Sequence, residues 1–576
     1  MRYYAMRLKR IHILLFPPLL IANSFLLAAD YYVAPTGQDG ASGSKSDPWS
    51  LSYANSQLQA GDVAILRGGT YLNKEIAPAR SGASEQKRII YIAYSGETPE
   101  FRASSKVSSP INIENRSYIT IDGISADGEG IYKDSKYQYW GYFNNTSNCT
   151  LKNSNFIRSE GYSALLFKNS SKYNKVLNNS FDYNGAWDVY KWKGTHEDSG
   201  SSMAIRAGNK FNLIQGNIFR RSGHDLGIIQ GDYNIIRDNT YDNTWEIYNG
   251  TSFSYKSGNV VSGDSVGNRA VSLKAGFGNI FERNIIKNIP ESVDDSSVGM
   301  IKVNGKNQIV RNNYFFNGVG DAMTSSVGSS SPDVYNNRIY HNTFYNIKGA
   351  AWSTISYGAE YPAPRKNIFK NNIFYKVAQN KKLFIIINNF LKHYNDPFLD
   401  TVFSYNCVAI DETASNQMVK SETLGSKPLS NYEDNYPVHF SNNIQQDPKF
   451  INENPSTISD FKLSSSSPCL GTGGELTTTL QSGSGTILTV ADASYFTDGY
   501  GIIEGDLINI GSETVRINDI DLSTNQIIIN RSISWSKGDP VNLAFTGISP
   551  NIGALSFEVS ETPPPGAPKN VRIKVI

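Results

Sequence analysis

The chain has 576 residues and a formal net charge of +2, so its bulk charge gives no reason to expect nucleic acid as a partner. Its length suggests two to four compact domains, unless it forms a solenoid in which each coil contacts only its neighbours. Its three cysteines, Cys149, Cys407 and Cys469, are far apart and odd in number. We therefore expect buried, unbridged thiols and no cysteine-based metal site, with one disulfide pair as the alternative.

The first 29 residues have the pattern of a secretory signal peptide. A basic start precedes an apolar run at 11–27, and the small residues Ala28 and Ala29 follow it. The alternative is a membrane anchor. No other stretch is long and apolar enough to span a bilayer. We predict an exported chain, either secreted, periplasmic or at the cell surface, that starts near Asp30 and has no transmembrane span.

Residues 30–110 predict an N-terminal cap and the first coils of a repeat structure. Short strands at 31–33 and 62–66 flank a Gly/Ser-rich loop and an amphipathic helical segment at 48–58. A short helix is the expected cover for the apolar end of a solenoid.

One phrase recurs through residues 111–474. It has a short apolar strand, a polar turn and a second short strand that follows an Asn, as in LIQGNIF and IIRDNTY. A phrase that recurs every few tens of residues predicts a solenoid. The Asn tolerates left-handed backbone, and stacked Asn side chains can hydrogen-bond along the axis. The repeated asparagines are Asn179, Asn217, Asn239, Asn284, Asn313, Asn342 and Asn372.

Residues 475–545 interrupt the last coils. Their alternating apolar segments, separated by turn signals, predict a small all-β insertion. Residues 546–560 then predict a closing β-helix strand, and the Pro-rich residues 561–576 predict a linker-like tail. The sequence predicts no function for the insertion.

The opening YYVAPTG, the phrase AGDVAILRGGTY and the repeated N-N-x-F coils resemble secreted right-handed parallel β-helix proteins of the pectate-lyase-like superfamily. The late phrase DPKFINENPSTISDFKLSSSSPCLGTG, resumed as SPNIGALSF, looks like that family's closing coils. The resemblance covers residues 30–557. It implies an all-β fold, a right-handed parallel β-helix solenoid with an N-terminal cap and a small all-β insertion. The superfamily hosts lyases, hydrolases, epimerases and non-catalytic adhesins, so the resemblance leaves the reaction open.

One face of the predicted solenoid carries a row of mostly cationic residues. Counting back from the residue after each Asn to the end of the preceding strand gives Lys168, Arg206, Gln230, Lys274 and Lys302. Each follows an apolar residue, so alternation points these five side chains outward, about 4.8 Å apart along the axis. Like charges at this spacing repel, and acidic partners are therefore expected.

Four aspartates that precede these cations in the chain are candidate partners: Asp198, Asp225, Asp294 and Asp295. In one interpretation they pair with the cations in surface salt bridges of little energetic weight. In the other, the cations form a groove for an anionic polymer, and the aspartates hold a calcium ion through oxygen ligands. Calcium-dependent members of the superfamily have an Asp-rich site beside a Lys, although no single coil here shows a clustered Asp motif.

Two excursions from the coils carry aromatic residues. The segment GAWDVYKWKGTHEDSGS offers Trp187, Tyr190 and Trp192, and Trp245 ends the later phrase before a second excursion. Aromatic side chains on loops beside a polar groove suit stacking on sugar rings. The alternative is that they cover the flank of the solenoid. His224, at a coil corner, is either a structural histidine or a candidate base.

The favoured reaction is β-elimination of a uronate-containing polysaccharide. A lysine crowded by other cations has its charged form disfavoured, which suits a base that removes the C5 proton. We predict Lys274 as that base and Arg206 and Lys302 as the cations that hold the neighbouring carboxylate. Three alternatives remain open: a glycoside hydrolase with two carboxylates, a C5-epimerase in which His224 returns the proton, and a non-catalytic glycan-binding β-helix.

Overall fold

A computed structural model describes most of the chain. The described residues are 28–103, 109–128, 139–157, 159, 163–182, 184, 201–222, 225–244, 269–289, 299–328, 333–356, 362–378, 385–387, 398–409, 419–421 and 425–554. Nearly all of the predicted signal peptide and the whole predicted tail lie outside these residues. Within the described ranges, no helix has the length and apolar character needed to cross a membrane.

The chain winds through three long sheets in turn, adding one strand to each in a typical coil. Sheet 1 contains Asp30–Gln38, Val63–Leu66, Ile89–Ala93, Ile119–Asp122, Thr150–Lys152, Lys175–Leu177, Leu213–Gln215, Ile235–Arg237, Ile280–Glu282, Ile309–Arg311, Arg338–Tyr340, Ile368–Lys370, Val402–Ser404 and Phe440–Ser441. Sheet 2 contains Gly69–Leu72, Pro99–Arg102, Ser125–Asp127, Asn155–Ile157, Ser180–Asp182, Ile218–Arg220, Thr240–Asp242, Ile285–Lys287, Tyr314–Gly318, Thr343–Ile347, Ile373–Val377 and Cys407–Ala409.

Sheet 3 closes each coil and carries the candidate site. It contains Ile111–Glu114, Gly141–Asn144, Ser163–Lys168, Ser201–Ile205, Asp225–Ile229, Arg269–Phe277, Gly299–Lys306, Asp321–Val327, Trp352–Ser356, Ile385–Ile387, Val419–Ser421 and Gly425–Lys427. Its strands are parallel except the last, which pairs antiparallel with Val419–Ser421. The three sheets enclose one apolar core, which confirms the predicted parallel β-helix.

The repeated asparagines form a continuous buried ladder between sheets 1 and 2. The Asn239 backbone N–H and side-chain amide both donate to Asn284 Oδ1, at 3.0 and 3.1 Å, and Asn284 makes the same pair of bonds to Asn313. The left-handed residue in each of these turns is the one before the Asn, for example Asn312 with φ 56°. The predicted stacking is confirmed, whereas the prediction that the repeated Asn itself is left-handed is wrong.

The aromatic residues that follow the ladder stack inside the coils. The rings of Phe181, Phe219 and Tyr241 lie 5.0 Å apart at each step and are almost parallel. Phe315, Phe344 and Phe374 repeat the arrangement further along, with ring separations of 4.6 and 4.8 Å. Offset stacking of this kind adds to the stabilisation from apolar burial.

A short helix, Leu51–Gln57, covers the N-terminal end of the solenoid. The Ser50 side chain accepts a hydrogen bond from the Tyr53 backbone N–H and so caps the helix, and Leu51 and Ala54 are buried beneath it. A second helix, Leu429–Asn435, buries Leu429 and Tyr432 near the last coils. Within the described ranges the other helical segments are single turns of 3₁₀-helix at Ile458–Phe461, Ala493–Tyr495 and Gly499–Gly501.

Residues after the last coil fold back over the outer face of sheet 2. Phe450 and Phe461 pack there against Phe316 and Tyr345. A disulfide joins Cys407, on the last strand of sheet 2, to Cys469, while Cys149 is free and buried. The prediction of three unbridged cysteines is therefore wrong for this pair, because the segment's return brings together two residues that are 62 positions apart.

Residues 477–543 form a separate antiparallel sheet, which we call the C-terminal module. Its strands are Thr477–Thr478, Gly483–Thr489, Leu507–Ile510, Glu513–Asp521, Gln526–Trp535 and Pro540–Leu543. The module packs on the outer face of sheet 1, over an apolar row that includes Leu213, Ile235, Ile280 and Ile309. It thus covers sheet 1 and leaves sheet 3 on another side of each coil.

Candidate active site on the outer face of sheet 3

Four of the five residues predicted to share a row do so in the structure. Phe167 pairs with Ile205, Ile205 with Ile229, and Ile229 with Leu273, and all four are buried in the core. The next residue in each coil therefore points outward. We call the resulting series Lys168, Arg206, Gln230, Lys274 and Asn304 the outer row.

The predicted place of Lys302 in this row is wrong. Lys274 pairs with Asn304, whereas Lys302 pairs with Ser272 on one side and Thr324 on the other. Lys302 does point outward, since it alternates with the buried Ile301 and Val303. Lys302 belongs to a second outward row, with Ser272 and Thr324, that lies two residues before the outer row on its strands. Its role as a carboxylate-binding residue stays a prediction.

Charge and polarity change along the outer row. Lys168 is exposed, and Arg206, Gln230 and Lys274 are half-buried. The Arg206 Nη1 atom donates to Gln230 Oε1 at 3.1 Å, which links the first half of the row to the neighbour of Lys274. On the other side, Asn304 is buried and its Nδ2 donates to Ser326 Oγ at 2.8 Å.

The prediction that the row crowds Lys274 with cations is wrong, because its two neighbours in the row are neutral. Lys274 has no ion-pair partner among the residues that the structure describes. The flanking residues of its row are Gln230 and Asn304, and Ser272, two residues before it on the same face, is buried. A half-buried amino group without a carboxylate partner is available to a ligand. A catalytic base needs such an accessible, unpaired amino group, whereas the fold of sheet 3 does not.

Three small polar residues in the same row as Lys302 were not found from the sequence. Ser272, Thr324 and Ser353 are all buried, although strand alternation places them on the outward side of sheet 3. Ser353 donates to Asp321 at 2.7 Å, while the Thr324 hydroxyl has no hydrogen-bond partner in the described part of the chain. Serine and threonine are common throughout this sequence, so no local signal marks these three.

Asp225 is the one described member of the predicted calcium-binding set. It is buried, and the Arg269 guanidinium on the next strand approaches its Oδ1 atom at 3.4 Å. Among the described residues, no group of three or more His, Cys, Asp or Glu side chains is arranged to hold a metal ion. Carboxylate oxygens suit calcium, but the described partner of Asp225 is a cation.

The remaining predicted site residues lie outside the described ranges and stay predictions: His224, Trp187, Tyr190, Trp192, Trp245, Asp198, Asp294 and Asp295.

A comparison with known families shows which family the coils belong to. The family described as "Pel9A-like, right handed beta helix region" matches residues 31–349, which is more than half of the chain. The chain belongs to this Pel9A-like right-handed β-helix family. The outer row, from Lys168 to Asn304, lies wholly within the matched residues, and the C-terminal module lies outside them.

Individual relatives of this Pel9A-like chain are distant. Pectate lyase PEL9 of Emericella nidulans is 32% identical over 120 residues, which are 20% of this chain and 27% of that protein. The chain thus spans about a quarter of the curated relative that it matches. The crystal structure of pectate lyase Pel9A has 16% identity, covers 78% of this chain and 92% of its own, and gives a TM-score of 0.44. The alginate lyase AlyGC has 14% identity, with coverages of 77% and 60% and a TM-score of 0.43.

Proposed function

We propose that this protein is a polysaccharide lyase that cleaves a uronate-containing polymer by β-elimination. Membership of the Pel9A-like family supports it, because the curated relative is a pectate lyase. The observation that carries it is Lys274, which lies half-buried on the outward side of sheet 3 without an ion-pair partner among the described residues. Arg206 and Lys302 supply further positive charge on the same face.

In this proposal Lys274 in its neutral form accepts the C5 proton of a uronate. The C5 electron pair forms the C4–C5 double bond as the C4–oxygen bond breaks, and water protonates the departing oxygen. Arg206, oriented by its hydrogen bond to Gln230, and Lys302 bind the carboxylate next to C5. Their charge favours the enolate-like transition state more than the ground state, which is where rate acceleration arises.

Calcium is the proposed cofactor, with Asp198, Asp225, Asp294 and Asp295 as its ligands. When bound, the ion would neutralise a substrate carboxylate as a Lewis acid. Asp225 has the right donor atoms, but Arg269 must give way for it to become a ligand. For this reason no step of the proposed reaction depends on the ion.

Substrate contacts outside sheet 3 are also proposed. Lys168 extends the positive row beyond Arg206 by one coil, about 4.8 Å, and so suits the next anionic sugar. Trp187, Tyr190, Trp192 and Trp245 are proposed to stack on sugar rings, and His224 remains a second candidate for proton transfer. We further propose export of the chain, since an extracellular polymer must be reached outside the cytoplasm.

Ultraviolet absorbance on a panel of uronate polymers tests this function. Elimination creates a conjugated double bond, whereas hydrolysis and epimerisation do not. We expect absorbance to rise on at least one polymer. Participation of calcium predicts that a chelator slows the rise and that added calcium restores its rate. Flat absorbance with new reducing ends would identify a hydrolase and overturn the proposal. Flat absorbance with binding alone would identify a glycan-binding β-helix.

A further inference from the structure

The connection that follows Lys274 is one residue longer than those of its two flanking coils. Gln230 runs directly into Gly231, and Asn304 runs directly into Gly305. Lys274 is instead separated from the equivalent glycine, Gly276, by Ala275.

The three glycines are equivalent because each abuts the backbone of the coil before it. A Cβ atom on Gly231 would lie 2.0 Å from the Asn209 carbonyl oxygen, and one on Gly276 would lie 2.2 Å from the Gly231 oxygen. For Gly305 the same distance, to the Gly276 oxygen, is 2.4 Å. Only glycine fits such a close approach, so the position is fixed in all three coils. Ala275 is therefore an inserted residue.

The strand register shows the same insertion. Lys274 pairs with Asn304, and the next pair is Phe277 with Lys306. Between these pairs, Ala275 and Gly276 on one strand oppose Gly305 alone on the other. One extra residue in a strand is a β-bulge, which bends the strand and re-aims the side chains beside it. Lys274 is the last regularly paired residue before this bulge.

Ala275 adopts a conformation that its residue type does not favour. Its φ is 60°, in the left-handed region, where the Cβ atom of a non-glycine residue meets steric resistance. The other left-handed residues that follow this face include Asn145, Asn169 and Gly208, which are of the types that tolerate the region, and Ser170, with a φ of 66°. The Ala275 side chain is exposed, so its own burial does not offset the strain. Uncompensated strain of this kind clusters at functional sites.

We infer that the Ala275 bulge is a positioning device that aims the Lys274 amine at the substrate. The inference rests on the proposed function, in which Lys274 is the base. Ala275 touches no reacting atom; it acts through the direction in which the strand end presents Lys274. A misplacement of about 1 Å in a catalytic group lowers a rate by about 100-fold, so a one-residue change here is measurable.

Two length variants test it, and both lengths already occur in this chain. Deletion of Ala275 reproduces the direct connection of the flanking coils, and insertion of a second Ala reproduces the Arg206 coil, where Ala207 and Gly208 precede Asn209. We expect kcat to fall by about 100-fold in both, with KM almost unchanged because the cations that bind the carboxylate stay in place. The matched control A275G keeps the length, relieves the strain and should keep kcat.

Wild-type kcat and KM in a folded deletion variant would overturn the inference. A second measurement does not depend on turnover: the rate at which an amine-reactive reagent labels Lys274, followed by mass spectrometry, with exposed Lys168 as the internal reference. We expect the deletion to change the labelling rate of Lys274 and not that of Lys168. Equal Lys274 labelling rates in wild type and the deletion variant would also overturn the inference. A wild-type protein that cleaves no uronate polymer would instead refute the proposed function, and the labelling result would still decide the role of Ala275.

Discussion

Sheets 1 and 3 belong to the same coils, yet buried arginines on the outer face of sheet 1 are paired with carboxylates, whereas Lys274 on the outer face of sheet 3 is not. On sheet 1, Arg311 is 3% exposed and donates to Glu282 at 2.7 Å and to Asp506 of the C-terminal module at 2.6 Å. Arg338 reaches Asp492 of the module in the same manner. On sheet 3, Lys274 is half-buried and has no carboxylate partner in the described ranges.

The difference separates charges that serve the fold from charges that are free for chemistry. A buried cation must be paired, because desolvation otherwise costs several kcal/mol. Arg311 meets this requirement with two carboxylates and is thereby unavailable to a ligand. Lys274 keeps partial access to water, so it needs no partner in the free protein and can respond to an anionic substrate.

The largest expected effect on stability comes from breaking the paired face. Arg311→Met removes the described cation partner of the half-buried Asp506 and leaves the buried Glu282 with Arg237 and Arg283 only, and we expect the free energy of unfolding to fall by about 3 kcal/mol. The rate of the folded variant should match wild type, because sheet 3 is unchanged. Chemical denaturation gives the first quantity and the uronate assay the second.

An exposed pair serves as the control for Arg311. The Lys366 Nζ and Asp400 carboxylate atoms are 4.0 Å apart, with side chains that are 56% and 69% exposed. Lys366→Met should change stability by less than about 1 kcal/mol. Equal losses for Arg311→Met and Lys366→Met would erase the distinction between the two kinds of charge.

The asparagine ladder, which lies between sheets 1 and 2, stabilises the coils that carry both faces. Asn284→Ala leaves the Asn239 backbone N–H and one of its two side-chain N–H groups buried without an acceptor, while the other still donates to the Ile214 oxygen. We expect a loss of about 2–3 kcal/mol. Asn443, at the half-buried end of the ladder, provides the comparison, since water can replace its bonds to Asn406. A denaturation series in which Asn443→Ala costs as much as Asn284→Ala would contradict the role of burial.

The smallest expected effect is on the pH dependence of stability, through His341 in a turn between sheets 1 and 2. His341 is buried in the left-handed position of its turn, and burial lowers its pKa to about 3. The unfolded chain binds a proton near the ordinary value of about 6.5, so the His341 contribution is lost as pH falls from about 6.5 towards 3. His341→Asn should lose less stability than wild type between about pH 7.5 and 4.5.

Asparagine is the matched replacement at this position, because Asn312 and Asn371 adopt the same left-handed backbone in the adjacent coils. The measurement is the urea midpoint of both proteins at the two pH values. An identical pH difference in wild type and variant would show that His341 does not titrate as its burial requires.

The sequence predicted most of the fold because its determinants are local and repeated. The Asn phrase marks where sheet 1 ends and sheet 2 begins in every coil, and the ladder confirms it. One disulfide pair was only the alternative prediction, and its partners, Cys407 and Cys469, were not predicted, since the two residues meet only when the chain folds back over sheet 2. The packing of the C-terminal module on sheet 1 is likewise tertiary.

The site was predicted less well, for a reason visible in the turns after sheet 3. Counting back from the residue after the repeated Asn placed Lys302 in the row, but the number of residues in these turns varies from coil to coil. Counting from the glycine that abuts the preceding coil would have found Asn304, since Gly231, Gly276 and Gly305 all stand three residues before a buried amide side chain. Those amides are Asn234, Asn279 and Gln308.

The most direct test of the central claim is the turnover of Lys274→Gln, measured by ultraviolet absorbance on the polymer that wild type cleaves, beside its binding by calorimetry. Lys168→Gln, on the exposed end of the same row, is the control. We predict that Lys274→Gln binds the polymer but produces no unsaturated product, while Lys168→Gln binds more weakly and still cleaves. A Lys274→Gln protein that cleaves at the wild-type rate would contradict the assignment of Lys274 as the base.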